Sequence, residues 1–335
     1  MRITNRERRR KMIPLLKLKN VSKNYASLKS FRHYTDSSQD VLKNINFSIH
    51  SGESIGLIGE SGCGKTTLAK IAAGLEKPTA GQVLYSGTDI QKFNFTTMQR
   101  VRKDVQIIFQ SSKSIFNPYH TIGKSLRHAL ENFEDLSEHE MKNKIAAMLE
   151  RVGLDASFAD RYPEKLSGGQ RQRANIARAL IVSPKLIICD EPVASLDFSI
   201  RKKTLDMLNE LIREMSLTCL FISHDISTVR YTCKKIAVMY RGVIVELFSL
   251  EEGNSLKPEH PYSRMLLNSV PICHPRQRTE RRPIPPSCFG KEEFKGNGCV
   301  FYDLCDCKQP RCADTTPELN ELGKAHYLAC HRYSL

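Results

Sequence analysis

Hydrophobic and polar positions alternate over residues 15–25 and again over 41–49, which predicts two strands that each bury one face. The stretch between them, 27–39, is polar and irregular, as in a loop or insertion. A short apolar run at 54–58 leads into Gly59, and a helical period takes over across 68–75, so a strand, a tight glycine-rich turn and a helix follow in order. Residues 81–85 and 105–109 read as further strands, and 122–152 is mostly helical with amphipathic spacing. Pro163 precedes a glycine pair and a long helix over 168–181. The apolar, β-rich runs 185–189 and 218–223 flank a helix over 199–215, a βαβ pattern with a buried parallel sheet. Residues 236–240 and 243–247 form a hairpin around Arg241–Gly242, and no internal repeat is present. After about Leu250, prolines interrupt a basic, polar segment that ends in a cysteine-rich tail, which predicts a linker and a small module.

Composition narrows the class. A chain of 335 residues, 40% of them hydrophobic, can bury a large core. Its formal net charge of +15 favours anionic partners, among them nucleotide phosphates, nucleic acid or a membrane surface. Part of that excess is local, in a basic run at Arg6–Lys11 and another at Arg276–Arg282, both read as solvated faces. No stretch reaches the roughly 20 apolar residues of a spanning helix, and the N-terminus lacks the pattern of a signal peptide. These features predict a cytoplasmic protein. Of eleven cysteines, seven crowd between Cys273 and Cys330. In a reducing compartment such crowding points to a metal site and away from disulfides.

Three motifs carry chemistry. Gly59-Glu60-Ser61-Gly62-Cys63-Gly64-Lys65-Thr66-Thr67 is a complete phosphate loop in the strand-to-helix setting that it requires. Its glycines let backbone N–H groups turn inward around phosphates, Lys65 reaches the β- and γ-phosphates, and Thr66 ligates Mg²⁺. The run 186–189 delivers Asp190 and Glu191 at a strand end, where open α/β sheets bind ligands. Asp190 holds Mg²⁺ through water, and Glu191 polarises the attacking water in ATP hydrolysis. Leu166-Ser167-Gly168-Gly169-Gln170 opens a helix, with Ser167 placed to cap it and leave amides free for a phosphate.

Leu-Ser-Gly-Gly-Gln between a phosphate loop and an Asp-Glu strand resembles the ATP-binding-cassette family, and the resemblance runs from Leu16 to Leu247. It implies an α/β fold: a P-loop NTPase cassette with a RecA-like core, an antiparallel β subdomain and a helical subdomain at about 111–180. By the same resemblance Gln110 senses the γ-phosphate, contributes to the Mg²⁺ site and couples to a membrane subunit. His224 is similar to the switch histidine that contacts the γ-phosphate, and Ser195-Leu196-Asp197 resembles the loop that speaks across a dimer. Tyr25 stands in the place of the aromatic that stacks on adenine, although the more cautious reading of the residue is core. The family further implies a head-to-tail pair in which one cassette's phosphate loop faces the other's Ser167–Gln170, the partner being a second copy or a paralogue.

Beyond the cassette, His260-Pro261-Tyr262 and Ser269-Val270-Pro271 resemble the extension on oligopeptide and dipeptide importer cassettes. Cys299, Cys305, Cys312 and Cys330, spaced C-x5-C-x6-C-x17-C, are similar to the tail that holds a four-iron, four-sulfur cluster there. The thiolates themselves suit a cluster or tetrahedral zinc, with Cys307 a substitute ligand. The resulting organisation is a basic tail at 1–14, a cassette at 15–250 and a cysteine-bearing extension at 251–335. The resemblance implies an ATP-hydrolysing subunit of a peptide importer, peripheral at the cytoplasmic face of a bacterial inner membrane. Its partners would be two transmembrane permease subunits, a second cassette and, indirectly, an extracytoplasmic solute-binding protein. One departure is that Ser111-Ser112 follow Gln110 where the peptide subfamily has Asp-Pro, though Asn117-Pro118 is retained. An importer of nickel or another metal chelate is the alternative within the family. A soluble cassette ATPase acting on nucleic acid or ribosomes is the alternative outside transport; such proteins usually carry two cassettes or long coiled coils, which are missing here, so no nucleic-acid partner is expected.

Overall fold

The computed structural model describes residues 13–25, 39–110, 115–250, 258–268, 297–323 and 325–333. The two basic runs, Ser111-Ser112, Ser269–Pro271, Cys273 and Cys288 lie outside the described residues.

The strands are β1 (Leu16–Tyr25), β2 (Gln39–Ile49), β3 (Ser54–Ile58), β4 (Ala80–Tyr85), β5 (Thr88–Asp89), β6 (Val105–Ile108), β7 (Leu186–Asp190), β8 (Thr218–Ile222), β9 (Lys235–Tyr240), β10 (Val243–Ser249), β11 (Asn320–Gly323) and β12 (His326–Leu328). The helices are α1 (Lys65–Ala72), α2 (Phe95–Asp104), α3 (Ile122–Glu131), α4 (Glu138–Arg151), α5 (Gly168–Leu180), α6 (Phe198–Glu214), α7 (Ile226–Thr232), α8 (Pro261–Asn268) and α9 (Arg311–Asp314). They build a small antiparallel sheet, β2-β1-β4-β5, and a large one ordered β11-β12-β10-β9-β3-β8-β7-β6. Strands β9, β3, β8, β7 and β6 run parallel.

Every residue of β7 and β8 is buried, as the continuous apolar runs require of a parallel sheet covered on both faces. Alternate side chains enter two cores. Ile187, Cys189, Cys219, Phe221, Val238 and Tyr240 join the core that holds α3, α4 and α5. Ile188, Leu220, Ile222, Ala237 and Met239 join the other, with α1 and the small sheet. The βαβ reading of 185–223 is therefore realised. The hairpin at Arg241–Gly242 turns with φ of 43° and 81°, the left-handed pair that suits a two-residue connection.

The stretch 122–152 divides into two helices. Ile122, Leu126 and Leu130 form the buried stripe of α3, and Thr121 caps it by accepting the Lys124 N–H. Ser137 and Glu140 form a reciprocal capping box that starts α4.

The expected linker falls largely outside the described residues, and the small module that follows it packs on the cassette. Strand β12 pairs antiparallel with β10, and β11 with β12, so the extension adds two strands to the large sheet. Tyr262, Cys299, Val300, Phe301 and Cys312 belong to the same core as Tyr240 and Phe248. So short a segment cannot enclose a core of its own and buries its apolar side chains against the cassette. Glu246, fully buried on β10, holds the junction: it accepts the N–H groups of Glu259 (2.7 Å) and His260 (3.3 Å), and its Oε1 lies 2.8 Å from Nε2 of His326.

Candidate functional site

Gly59–Thr67 links β3 to α1 as the sequence predicts. Gly64 caps α1 with φ of 107°, and a Cβ there would lie 2.8 Å from the carbonyl of Val41. A Cβ on Gly59 would lie 2.2 Å from the Met239 carbonyl. Only glycine fits either place. The Lys65 ammonium is buried inside the loop and donates to the carbonyls of Gly59 (2.8 Å) and Glu60 (2.6 Å). Ser61, Gly62 and Thr66 face outward at the mouth of the loop, while Cys63 is buried beneath it and Thr67 is half-buried. Burial pushes the Glu60 carboxyl up, and Arg241 and Lys65 pull it back down.

Strand β7 brings its two carboxylates to that mouth. Burial raises the pKa of Asp190, a hydrogen bond with the Thr66 hydroxyl lowers it, and Glu191 next to it raises it again. The pairing of Thr66 with Asp190 joins the first motif to the second. Glu191 has φ of 50°, in the left-handed region that a non-glycine residue enters at a cost of about 1–2 kcal/mol. Its N–H still donates to the carbonyl of Ile222 at 2.9 Å, so the ladder with β8 runs on while the backbone swings the carboxylate outward. One carboxylate oxygen accepts from Gln110 Nε2 at 2.9 Å, and the other lies 2.9 Å from His224 Nδ1. Gln110 follows β6 and His224 follows β8, so three neighbouring strand ends converge on one carboxylate.

Ser167 caps α5 as expected. Its hydroxyl accepts the Gln170 N–H at 3.3 Å, and the Gln170 side chain accepts the Ser167 N–H at 2.9 Å. Ser167 and Gly168 are exposed, Gly169 is buried, and a Cβ on Gly168 would meet nothing within 4 Å. Gly169 is explained by Ile200, 2.8 Å from a Cβ built there. Nothing within the chain requires glycine at 168. Asp197 is exposed at the start of α6 and makes no side-chain cap bond, and Ser195 is exposed beside buried Leu196. Tyr25 is no core residue: it is 42% exposed, and its hydroxyl bonds the side chains of Thr67 and Glu76 next to the loop.

In the extension, Cys299, Cys305, Cys312 and Cys330 share a local arrangement. Backbone N–H groups donate to their sulfurs, from Phe301 to Cys299, Cys307 to Cys305 and Arg332 to Cys330, and from Gln309 to Cys312 at 3.5 Å. Burial pushes the Cys299 thiol up to about 11, and the thiols of Cys312, Cys305 and Cys330 add to the rise. Cys307 is different. Its sulfur donates to the Asp306 carboxylate at 3.3 Å, which raises its pKa, and its backbone N–H serves the Cys305 sulfur. Among the described residues no group of three or more His, Cys, Asp or Glu side chains converges closely enough to hold one metal ion.

One residue at the site was not singled out by sequence reasoning. Tyr262 reaches from α8 to the phosphate loop, where its hydroxyl oxygen accepts the Glu60 N–H at 3.2 Å. The His-Pro-Tyr motif marked the segment, but no local signal connects it to a loop 202 positions away.

Residues 42–194 match the family model described as ABC transporter, and residues 256–312 match that described as oligopeptide/dipeptide transporter, C-terminal region. The oligopeptide transport ATP-binding protein AppF of Bacillus subtilis is 41% identical over 87% of this chain and 88% of its own length. A putative peptide import ATP-binding protein of Brucella ovis is 38% identical over 95% of this chain and 98% of its own. Among solved structures, the ATP-binding cassette MJ0796, as a dimer in a post-hydrolysis state bound to ADP and Pi, is 29% identical with a TM-score of 0.62, covering 70% of this chain and 99% of that one. The chain belongs to the ABC transporter family, as an ATP-hydrolysing ATP-binding protein that carries the C-terminal region of oligopeptide/dipeptide transporters.

Proposed function

We propose that this protein energises the import of peptides by hydrolysing ATP on a pair of permease subunits at the cytoplasmic face of a bacterial membrane. The observation that carries the ATPase reading is the convergence of Gln110 and His224 on Glu191, beside the Thr66–Asp190 pair and Lys65. Thr66 and Asp190 are oxygen donors of the kind Mg²⁺ takes, and the ion, when bound, neutralises charge on the β- and γ-phosphates. Lys65 and the loop amides bind and orient those phosphates. Glu191, oriented by Gln110 and His224, accepts the proton of the attacking water. Tyr25, at the edge of the loop, is suited to stacking on adenine.

Exposed Ser167 and Gly168 support a second cassette as partner. A glycine in a helix's first turn, unexplained by its own chain, fits a surface that another molecule's phosphate approaches. Exposed Asp197 fits the same interface. For the permease, a groove lined by Leu75, Arg102, Ile107, His128, Phe133 and Arg178 offers a surface of mixed apolar and basic side chains. No helix among the described residues is long and apolar enough to cross a membrane, so spanning subunits would supply the path. The peptide substrate rests on the oligopeptide and peptide import proteins that the chain resembles over most of its length.

The four tail thiols are assigned to an iron–sulfur cluster in a structural role. Each sulfur already accepts a backbone N–H, as cluster-bound sulfurs do, and a cluster of several irons spreads its ligands. A single zinc would need all four sulfurs about 2.3 Å from one point. Cys299→Ser should remove iron and inorganic sulfide from the purified protein together with its visible absorbance; zinc at one equivalent in the unmutated chain would overturn the assignment.

Import is tested by co-purification from native membranes followed by reconstitution with the permease and receptor recovered. ATP hydrolysis stimulated by short peptides supports the reading. Stimulation by a nickel chelate alone, or recovery of ribosomes or DNA without membrane subunits, would overturn it.

A further inference from the structure

Tyr262 is fully buried, yet it belongs to the C-terminal extension and touches the nucleotide loop. The peptide unit whose N–H it accepts is the one between Gly59 and Glu60, and the carbonyl of that same unit accepts the Lys65 ammonium at 2.8 Å. A peptide unit is planar, so a partner on its N–H fixes where its carbonyl points. Tyr262 on one side and Lys65 on the other therefore hold a single plane at the entry of the loop.

The phenol is itself held firmly. Its ring packs on Tyr240 of β9 at 4.4 Å between centroids and on Phe301 at 5.6 Å. Its own N–H donates to His260 Nδ1 at 3.1 Å. Phe301, in turn, donates its N–H to the sulfur of Cys299. A continuous set of contacts thus runs from the thiol module through two rings to the peptide that orients the phosphate-loop lysine.

We propose that Tyr262 is a positioning residue of the ATP site, through which the packing of the C-terminal thiol module sets the affinity of the phosphate loop for nucleotide. Tyr262 does not reach the reacting atoms. It keeps the Gly59–Glu60 plane in the orientation that nucleotide binding needs, so that less ordering has to occur when ATP arrives. Linkage makes the effect reciprocal: what the extension does for ATP, ATP does for the extension.

Tyr262→Phe keeps the ring and its packing and removes only the acceptor. Loss of one hydrogen bond of ordinary net strength should raise the Kd and KM for ATP about 3- to 10-fold, while kcat at saturating ATP stays within about twofold, since the bond serves bound substrate and transition state alike. In hydrogen exchange on the full chain, the peptide containing Glu60 should exchange faster in the variant. ATP should slow exchange over residues 297–305 in the unmutated protein and fail to do so in Tyr262→Phe. Phe301→Leu, which loosens the ring without touching the bond, should move KM in the same direction by a smaller factor and serves if Tyr262→Phe does not fold. An unchanged ATP affinity in folded Tyr262→Phe, or a fall in kcat with KM unchanged, would overturn the proposal. The inference rests on the ATPase reading, and the two fail differently: an unmutated chain that binds no ATP removes the function, whereas equal binding by both proteins removes only the role of Tyr262.

Discussion

At the carboxyl end of β7 the polar side chains find partners within the chain: Glu191 has Gln110 and His224, and Asp190 has Thr66. At the turn that opens α5, the Ser167 and Gln170 side chains accept each other's backbone N–H, and Gly168 lies open to solvent. Both are motif sites that the sequence marks with equal clarity. The first is assembled from the ends of three strands, and burial and ladder bonds hold it. The second is a single helix start with one face unoccupied. In the function proposed above, the first is the group that activates water and the second is the part of a phosphate site that a paired cassette would complete.

Glu191→Gln should break the first side most severely. The amide keeps the size and the hydrogen-bonding reach but cannot take a proton, so turnover should fall about 100-fold or more with ATP affinity within a few-fold of the unmutated value. Steady-state phosphate release together with nucleotide titration checks it, and normal turnover would remove Glu191 from its role. Gly168→Leu should act on the second side alone. An open position accepts the side chain, so the fold and nucleotide binding by an isolated chain should be unchanged, while turnover of the assembled transporter falls about 10- to 100-fold as the facing phosphate is displaced. Equal turnover would mean that no partner approaches there.

The smallest effect tests the support beneath the first side. Burial depresses the His260 pKa to about 3. The unfolded chain, with a His pKa near 6.5, therefore binds the extra proton between these values, so stability contributed by neutral His260 is full above about pH 6.5 and declines as pH falls. The loss between pH 6.5 and 5.5 should be about 1 kcal/mol from this residue. Urea unfolding at the two values should show it, and His260→Asn, which retains an acceptor for the Tyr262 N–H, should flatten the difference.

Much of this was legible in one dimension because the chemistry is local. The phosphate loop needs its glycines, lysine and threonine within one turn, and the apolar runs that become β7 and β8 are bounded on either side by polar residues. Helix α2 went unseen because its apolar stripe is thin: Phe95, Met98 and Val101 give one apolar position per turn in a polar segment, and Val101 alone is buried. The packing of the tail was illegible for another reason: proline and charge mark a change of composition, but they do not show that β12 returns to pair with β10.

The sequence alone determined the elements and the chemical groups, since hydrophobic period and motif spacing are properties of neighbouring residues. The tertiary structure decided how those groups meet. The left-handed backbone of Glu191 depends on the β8 carbonyl that holds its N–H, the union of Gln110, Glu191 and His224 depends on strand order, and the reach of Tyr262 to Glu60 depends on the extension packing against β9. Each is a contact between residues far apart in the chain, made favourable only once the core has brought their elements together.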